Sequence, residues 1–153
     1  MTKKKVFFAC SMRGGQGVVD QEYLRQIPEV LKELGLELVS EHQTQEGIIQ
    51  KEDELTPADI HDRDYTWIKD SDVLIAEISN PSLGVGGEIS DAIPFGRPVL
   101  AIYQQAPNKV SAYARGKLDV YDKGYHVQYK SLDGLRDIVS GFMDEFLPEW
   151  RSE

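Results

Sequence analysis

The chain has 153 residues, enough for one domain and too few for two. Its 41% hydrophobic and 28% charged content is that of a soluble globular protein, and its net charge of −9 argues against non-specific binding to nucleic acid or anionic membranes. Cys10 is the single cysteine, so an intramolecular disulfide and a cysteine-based zinc site are both excluded. A reducing, cytoplasmic setting is the natural expectation. The start Met1-Thr2-Lys3-Lys4-Lys5 lacks the apolar core of a signal peptide, and no apolar run approaches the ~20 residues needed to span a bilayer.

The elements follow in chain order. Lys5 to Cys10 reads as a buried strand, followed by the loop Ser11-Met12-Arg13-Gly14-Gly15-Gln16-Gly17. Asp20 caps a helix to about Leu34, with Tyr23, Leu24, Ile27, Val30, Leu31 and Leu34 at helical spacing and Gly35 as its stop. Leu36 to Val39 is a second strand, and Glu41 to Leu55 a polar loop. Thr56-Pro57 opens a helix to about Asp70. Asp72 to Ile78 is a third strand, apolar enough to be buried on both faces. The turn Asn80-Pro81-Ser82-Leu83-Gly84 leads into a helix to about Ile93. Pro98 to Tyr103 is a fourth strand, Lys109 to Arg115 a short helix, Tyr125 to Tyr129 a fifth strand, and Leu132 to Leu147 a last amphipathic helix. Alternating strands and helices predict an α/β fold: a single domain, 1–153, with a doubly wound, flavodoxin-like parallel sheet of five strands. Such sheets bind ligands beyond the carboxyl ends of their strands.

Two loops at that end are rich in small residues. The first, Ser11-Met12-Arg13-Gly14-Gly15, offers exposed amides and a guanidinium, and reads either as a phosphate cradle or as a flexible turn. It is neither a P-loop nor a GxGxxG fingerprint. The second, Pro81-Ser82-Leu83-Gly84-Val85-Gly86-Gly87-Glu88, runs into a helix N-terminus, where free amides and the dipole favour an anion. Its three glycines each cost the helix on the order of 1 kcal/mol against alanine, which suggests a ligand against the backbone.

Two carboxylates stand out. Glu88, expected in the first turn of its helix, borders the apolar stripe of Val85, Ile89 and Ala92; a glutamate matching the helix dipole is the alternative. Asp64 falls between Ile60 and Ile68, inside the stripe of its helix, while Asp59, Asp62, Arg63, Thr66 and Lys69 take the wet face. An inward carboxylate is bonded to loop amides, paired, or functional. Glu77 interrupts the third strand near its end, facing either the cleft or solvent. His42, after a strand end, is placed to line the site. Cys10 reads as a reactive thiol or a small buried cysteine. No HxH or HExxH pair occurs, so no metal is expected, and no serine has the GxSxG context of a nucleophile.

Ser11-Met12-Arg13-Gly14-Gly15, Ile60-His61-Asp62-Arg63-Asp64, Pro81 to Glu88, and Val110-Ser111-Ala112-Tyr113-Ala114-Arg115-Gly116 form an ordered series. It resembles that of the 2′-deoxynucleoside 5′-phosphate N-hydrolases, within the wider nucleoside 2-deoxyribosyltransferase family. The resemblance spans nearly the whole chain and is most specific from His61 to Glu88. It implies a Rossmann-like homodimer that cleaves the N-glycosidic bond of nucleoside monophosphates, with Glu88 as nucleophile, Asp64 as general acid and no cofactor. It further implies substrate contacts from Phe7, Ala9, Cys10, Ser11, Met12, Arg13, Gly14, Gly15, His42, Ser82, Gly84, Ala112 and Tyr113, with Ser111 reaching the phosphate from the partner subunit. Phe7 stands where family members often carry a tyrosine, Cys10 where a glycine is common, and Gly87 where a bulkier residue is usual. Two other functions fit the same residues: a transferase moving deoxyribose between bases of free nucleosides, and a non-catalytic nucleotide-binding module. Ser82, Ser111 and Arg13 favour a phosphorylated substrate over the first, and the inward Asp64 counts against the second.

Overall fold

A computed structural model describes residues 2–12, 17–39 and 54–151. Five parallel strands, β1 (Lys5–Ala9), β2 (Glu37–Leu38), β3 (Val73–Glu77), β4 (Val99–Tyr103) and β5 (Gly124–Gln128), pair in the order β2-β1-β3-β4-β5. This is the expected flavodoxin-like order. Its direction reverses between β1 and β3, so the ligand crevice lies at their carboxyl ends.

The period-2 alternation of the strands divides the core in two. Val6, Phe8, Val73, Ile75, Leu100 and Ile102 face α1 (Gln21–Leu24), α2 (Gln26–Glu33) and α6 (Leu132–Phe146). Phe7, Ala9, Leu74, Ala76, Val99 and Ala101 face α3 (Pro57–Asp70), α4 (Leu83–Ala92) and α5 (Ala112–Val120). Covered on both sides, β3 and β4 are buried throughout, as their unbroken apolar runs require. Ala9, Ala76 and Ala101 lie side by side in register across β1, β3 and β4. That row of small side chains forms a shallow floor on which α4 sets Val85, Ile89 and Ala92. No helix among the described residues is long and apolar enough to cross a membrane.

Two expected elements differ. The helix expected from Asp20 to Leu34 is broken at Arg25 into α1 and α2. Pro28 has no N–H to give the Leu24 carbonyl, so the ladder cannot run through. The expected terminator holds: Gly35 takes φ +92°, a left-handed conformation natural to glycine. The short helix expected over Lys109 to Arg115 is instead a 3₁₀ turn, Pro107–Lys109, followed by α5, which Ser111 caps. The serine hydroxyl accepts from the Ala114 amide (3.2 Å), and the helix runs on to bury Leu118.

Candidate active site

Asp64 and Glu88 come from different helices and line one cavity of about 290 Å³ between α3 and α4, with Ile60, His61, Tyr65, Gly84, Gly87 and Asp91. Thr56 starts α3 with a full capping box, its hydroxyl accepting from the Asp59 amide while the Asp59 carboxylate accepts from the Thr56 amide. That phase turns Ile68 into the core and leaves Asp64 at its edge, its side chain 15% exposed. The carboxylate is paired: Arg63 Nε donates to Asp64 Oδ1 at 2.9 Å. Arg63 was expected on the wet face, yet only 20% of its side chain is exposed, because the guanidinium also lies 4.7 Å over the Trp67 ring.

Glu88 is half-buried and is the sixth residue of α4. It was expected in the first turn; the helix begins at Leu83, so Glu88 falls in the second. The dipole effect fades within the first turn, so a dipole-matching role no longer accounts for it. The first turn of α4 has no acidic residue, and its cap is Ser82, whose hydroxyl accepts from the Val85 amide at 3.2 Å. A Cβ at Gly86 or Gly87 would meet nothing within 4 Å. Protein packing therefore does not demand those two glycines.

On the other flank of α4, Ser82, Val85, Gly86 and Ile89 line a second cavity of about 310 Å³ with Asn80, Lys109, Ser111 and Ala114. Ser82 and Ser111 of one chain thus meet there, each at a helix N-terminus. Ala112 and Tyr113 are not brought to either cavity; they line a surface hollow with Gly116, Lys117 and Val120, and Tyr113 is 81% exposed. Phe7 and Ala9 are fully buried beneath α3 and α4 and form the floor. Ser11 is buried too, its carbonyl accepting from Gln21 Nε2 at 2.8 Å, and Met12 packs on the opposite core. Arg13, Gly14, Gly15 and His42 lie outside the described residues.

Behind the floor runs a buried polar chain that the sequence did not reveal. Glu77 points neither to the cleft nor to solvent; it is 1% exposed. The Ser79 amide donates to its Oε1 (2.6 Å), and the Ser79 and Tyr129 hydroxyls donate to Oε2 (3.1 and 2.6 Å). Burial lifts the Glu77 carboxyl above its ordinary range, against the pull of those three bonds. The Cys10 thiol is pushed up to about 12, chiefly by burial and further by the charges of Glu77 and Glu88. Cys10 is therefore the small buried cysteine and not a thiolate nucleophile. Asn80, also missed, is 4% exposed and holds the chain at Val18 and Val19. The one sequence signal for it was an Asn-Pro turn directly after a strand.

The family model described as nucleoside 2-deoxyribosyltransferase matches residues 6–132. The chain is 30% identical to a 5-hydroxymethyl-dUMP N-hydrolase of Mus musculus, over 94% of this chain and 82% of that protein. A relative from Methanococcoides burtonii carries 2′-deoxynucleoside 5′-phosphate N-hydrolase in its name and is 38% identical over 73% of this chain and 89% of its own. Among solved structures, a Clostridium botulinum CMP N-glycosidase superposes with a TM-score of 0.65 at 20% identity, covering 91% of this chain and 99% of its own. At that identity the likeness concerns the fold. With the matched segment running from β1 through both carboxylates to the start of α6, the chain belongs to the nucleoside 2-deoxyribosyltransferase family.

Proposed function

We propose that the protein hydrolyses the N-glycosidic bond of (2′-deoxy)nucleoside 5′-monophosphates, releasing free base and sugar 5-phosphate through a covalent glycosyl-enzyme on Glu88. The carrying observation is that Asp64 and Glu88, from two helices, line one cavity beside Gly84 and the open backbone of Gly87. The relatives named as N-hydrolases share N-glycosidic cleavage, and this chain is an N-glycosidase. In the first step the Glu88 carboxylate bonds to C1′ as the C1′–N bond breaks. The bonding pair leaves with the base, which takes a proton from Asp64. In the second step water attacks C1′, Asp64 takes its proton, and the Glu88–C1′ bond breaks to regenerate the carboxylate. Two inversions give net retention. Arg63 Nε donates to one Asp64 oxygen and so orients the carboxyl.

The phosphate is assigned to neutral donors: Ser11, Ser82, Ser111 of the partner subunit, loop amides and the N-terminus of α4, with Arg13 as cation. The helix end suits an anion, having a serine cap and no competing carboxylate in its first turn. Substrate contacts from Phe7, Ala9, Cys10, Met12, Gly14, Gly15, His42, Gly84, Ala112 and Tyr113 belong to the same proposal.

The deciding experiment incubates the enzyme with nucleoside monophosphates and the matching nucleosides, with and without an acceptor base, and then with methanol. Base release from monophosphates alone and a methyl glycoside of retained configuration are expected. Glu88→Gln should lose about 10⁴-fold or more in kcat while still binding nucleotide. An inverted glycoside, or near-normal kcat in a folded Glu88→Ala, would reduce the mechanism to direct attack by water. Efficient transfer between free nucleosides would make the protein a transferase, and tight nucleotide binding without turnover a binding module.

A further inference from the structure

We propose that Asn80 is a positioning residue: it locks Val18 and Val19 to the turn before α4 and so, through Gln21, which holds the Ser11 carbonyl, keeps Ser11 and Ser82 in one frame. The inference rests on the monophosphate reading above. Asn80 Oδ1 accepts from the Val18 amide (2.6 Å) and the Val19 amide (2.9 Å), while Nδ2 donates to the Val19 carbonyl (2.7 Å). One buried carboxamide thus satisfies three backbone groups some sixty residues away in sequence. Gly17 packs on the same amide: a Cβ there would lie 3.0 Å from Asn80 Nδ2 and 3.1 Å from Oδ1. A side chain at position 17 would therefore press directly on the clamp.

The clamp is itself held from behind. The preceding residue, Ser79, is tied by its amide and hydroxyl to Glu77; its hydroxyl also accepts from the Gln104 amide (2.9 Å) and its carbonyl from Gln105 Nε2 (2.7 Å). Two residues after Asn80 stands Ser82, the cap of α4. At the entry of the first loop, Gln21 Nε2 holds the Ser11 carbonyl. Asn80 and Gln21 thus tie Ser11 to the Ser82 turn through residues 18–21. A phosphate gripped by both Ser11 and Ser82 binds only when their spacing is right, whereas a free nucleoside makes no such demand.

The test compares wild type, Asn80→Ala, Asn80→Asp and Gly17→Ala. It measures steady-state kinetics on a deoxynucleoside monophosphate and its nucleoside, calorimetric affinity for deoxyribose 5-phosphate, and thermal melting. Asn80→Ala should raise KM for the monophosphate about tenfold, the loss of roughly 1.4 kcal/mol, with kcat within about threefold and the nucleoside KM unchanged. Asn80→Asp keeps the acceptor for both amides and should recover part of the loss. Gly17→Ala should reproduce the KM rise without altering Asn80, which covers the case in which Asn80→Ala does not fold. Deoxyribose 5-phosphate should lose affinity in parallel. Equal KM changes for both substrates, a lower melting point with unchanged KM, or normal kinetics in folded Gly17→Ala would overturn the assignment. Failure of the wild type on every monophosphate would sink the functional reading instead. In that event deoxyribose 5-phosphate affinity decides for Asn80: selective weakening in the variants sustains it, and no effect, or no binding to wild type, ends it.

Discussion

Asp64 was recognisable because a carboxylate in an apolar stripe needs a partner, and the helical period alone shows the stripe. The partner was not recognisable. Arg63 is adjacent in sequence, and its guanidinium lies over the Trp67 ring and turns inward to Asp64 instead of outward to water. Asp64→Asn keeps the shape and removes the titrating group, so kcat should fall by roughly 10²–10⁴. A substrate with a good leaving group should lose less; equal losses would mean that Asp64 only orients the sugar and base. Glu77 makes a separate prediction about stability. Its carboxyl is raised by burial, so between its ordinary value and the raised one the folded chain binds more protons than the unfolded chain. Stability then falls as pH climbs through that window. Glu77→Gln removes this titration, so its melting point relative to wild type should rise from pH 4 toward neutrality. A constant difference would show that Glu77 titrates normally.

At the scale of elements, α4 joins the fold to the site. One face, Val85, Ile89 and Ala92, rests on the alanine floor of β1, β3 and β4; the flanks carry Gly84, Gly87 and Glu88 on one side and Ser82 and Gly86 on the other. The stripe was legible in the sequence because helical spacing is local. The turn in which Glu88 falls was not, since it depends on where the helix begins, and boundaries shift by a residue or two with tertiary contacts. Gly86→Ala tests what the glycines are for. With open space at that Cβ, the substitution should stabilise the folded chain by up to about 1 kcal/mol. It should also raise KM for a monophosphate, because the methyl group enters the cavity shared by Ser82 and Ser111. A stabilised variant with unchanged KM would free that cavity of substrate.

For the whole molecule, the open question is which subunit completes each site. Ala112 and Tyr113 line a surface hollow separate from the carboxylate cavity of their own chain, and Tyr113, Val120 and Leu83 are exposed at 81%, 88% and 99%. These placements support the proposal of a homodimer with shared sites, in which the start of α5 serves the neighbour. Mixing inactive Glu88→Ala with inactive Ser111→Ala subunits should then restore part of the activity, since one hybrid site regains both residues. Ser111→Ala also removes the α5 cap, a loss of about 1 kcal/mol, so its melting curve must accompany the assay. Full activity from a strictly monomeric protein would dismiss the shared site.

The sequence by itself determined the parallel sheet, its strand order, the Asp20 cap and the two candidate carboxylates. Each rests on local chemistry or on period: unbroken apolar strands, alternating helices, an aspartate before a helical stripe, and the stripe around Asp64. Tertiary structure decided what lies far apart along the chain. The Glu77 network joins the ends of β3 and β5, and Asn80 reaches back to Val18 and Val19. A single buried side chain with long-range hydrogen bonds carries no periodic signal. It becomes visible only when the sheet brings its distant partners within reach.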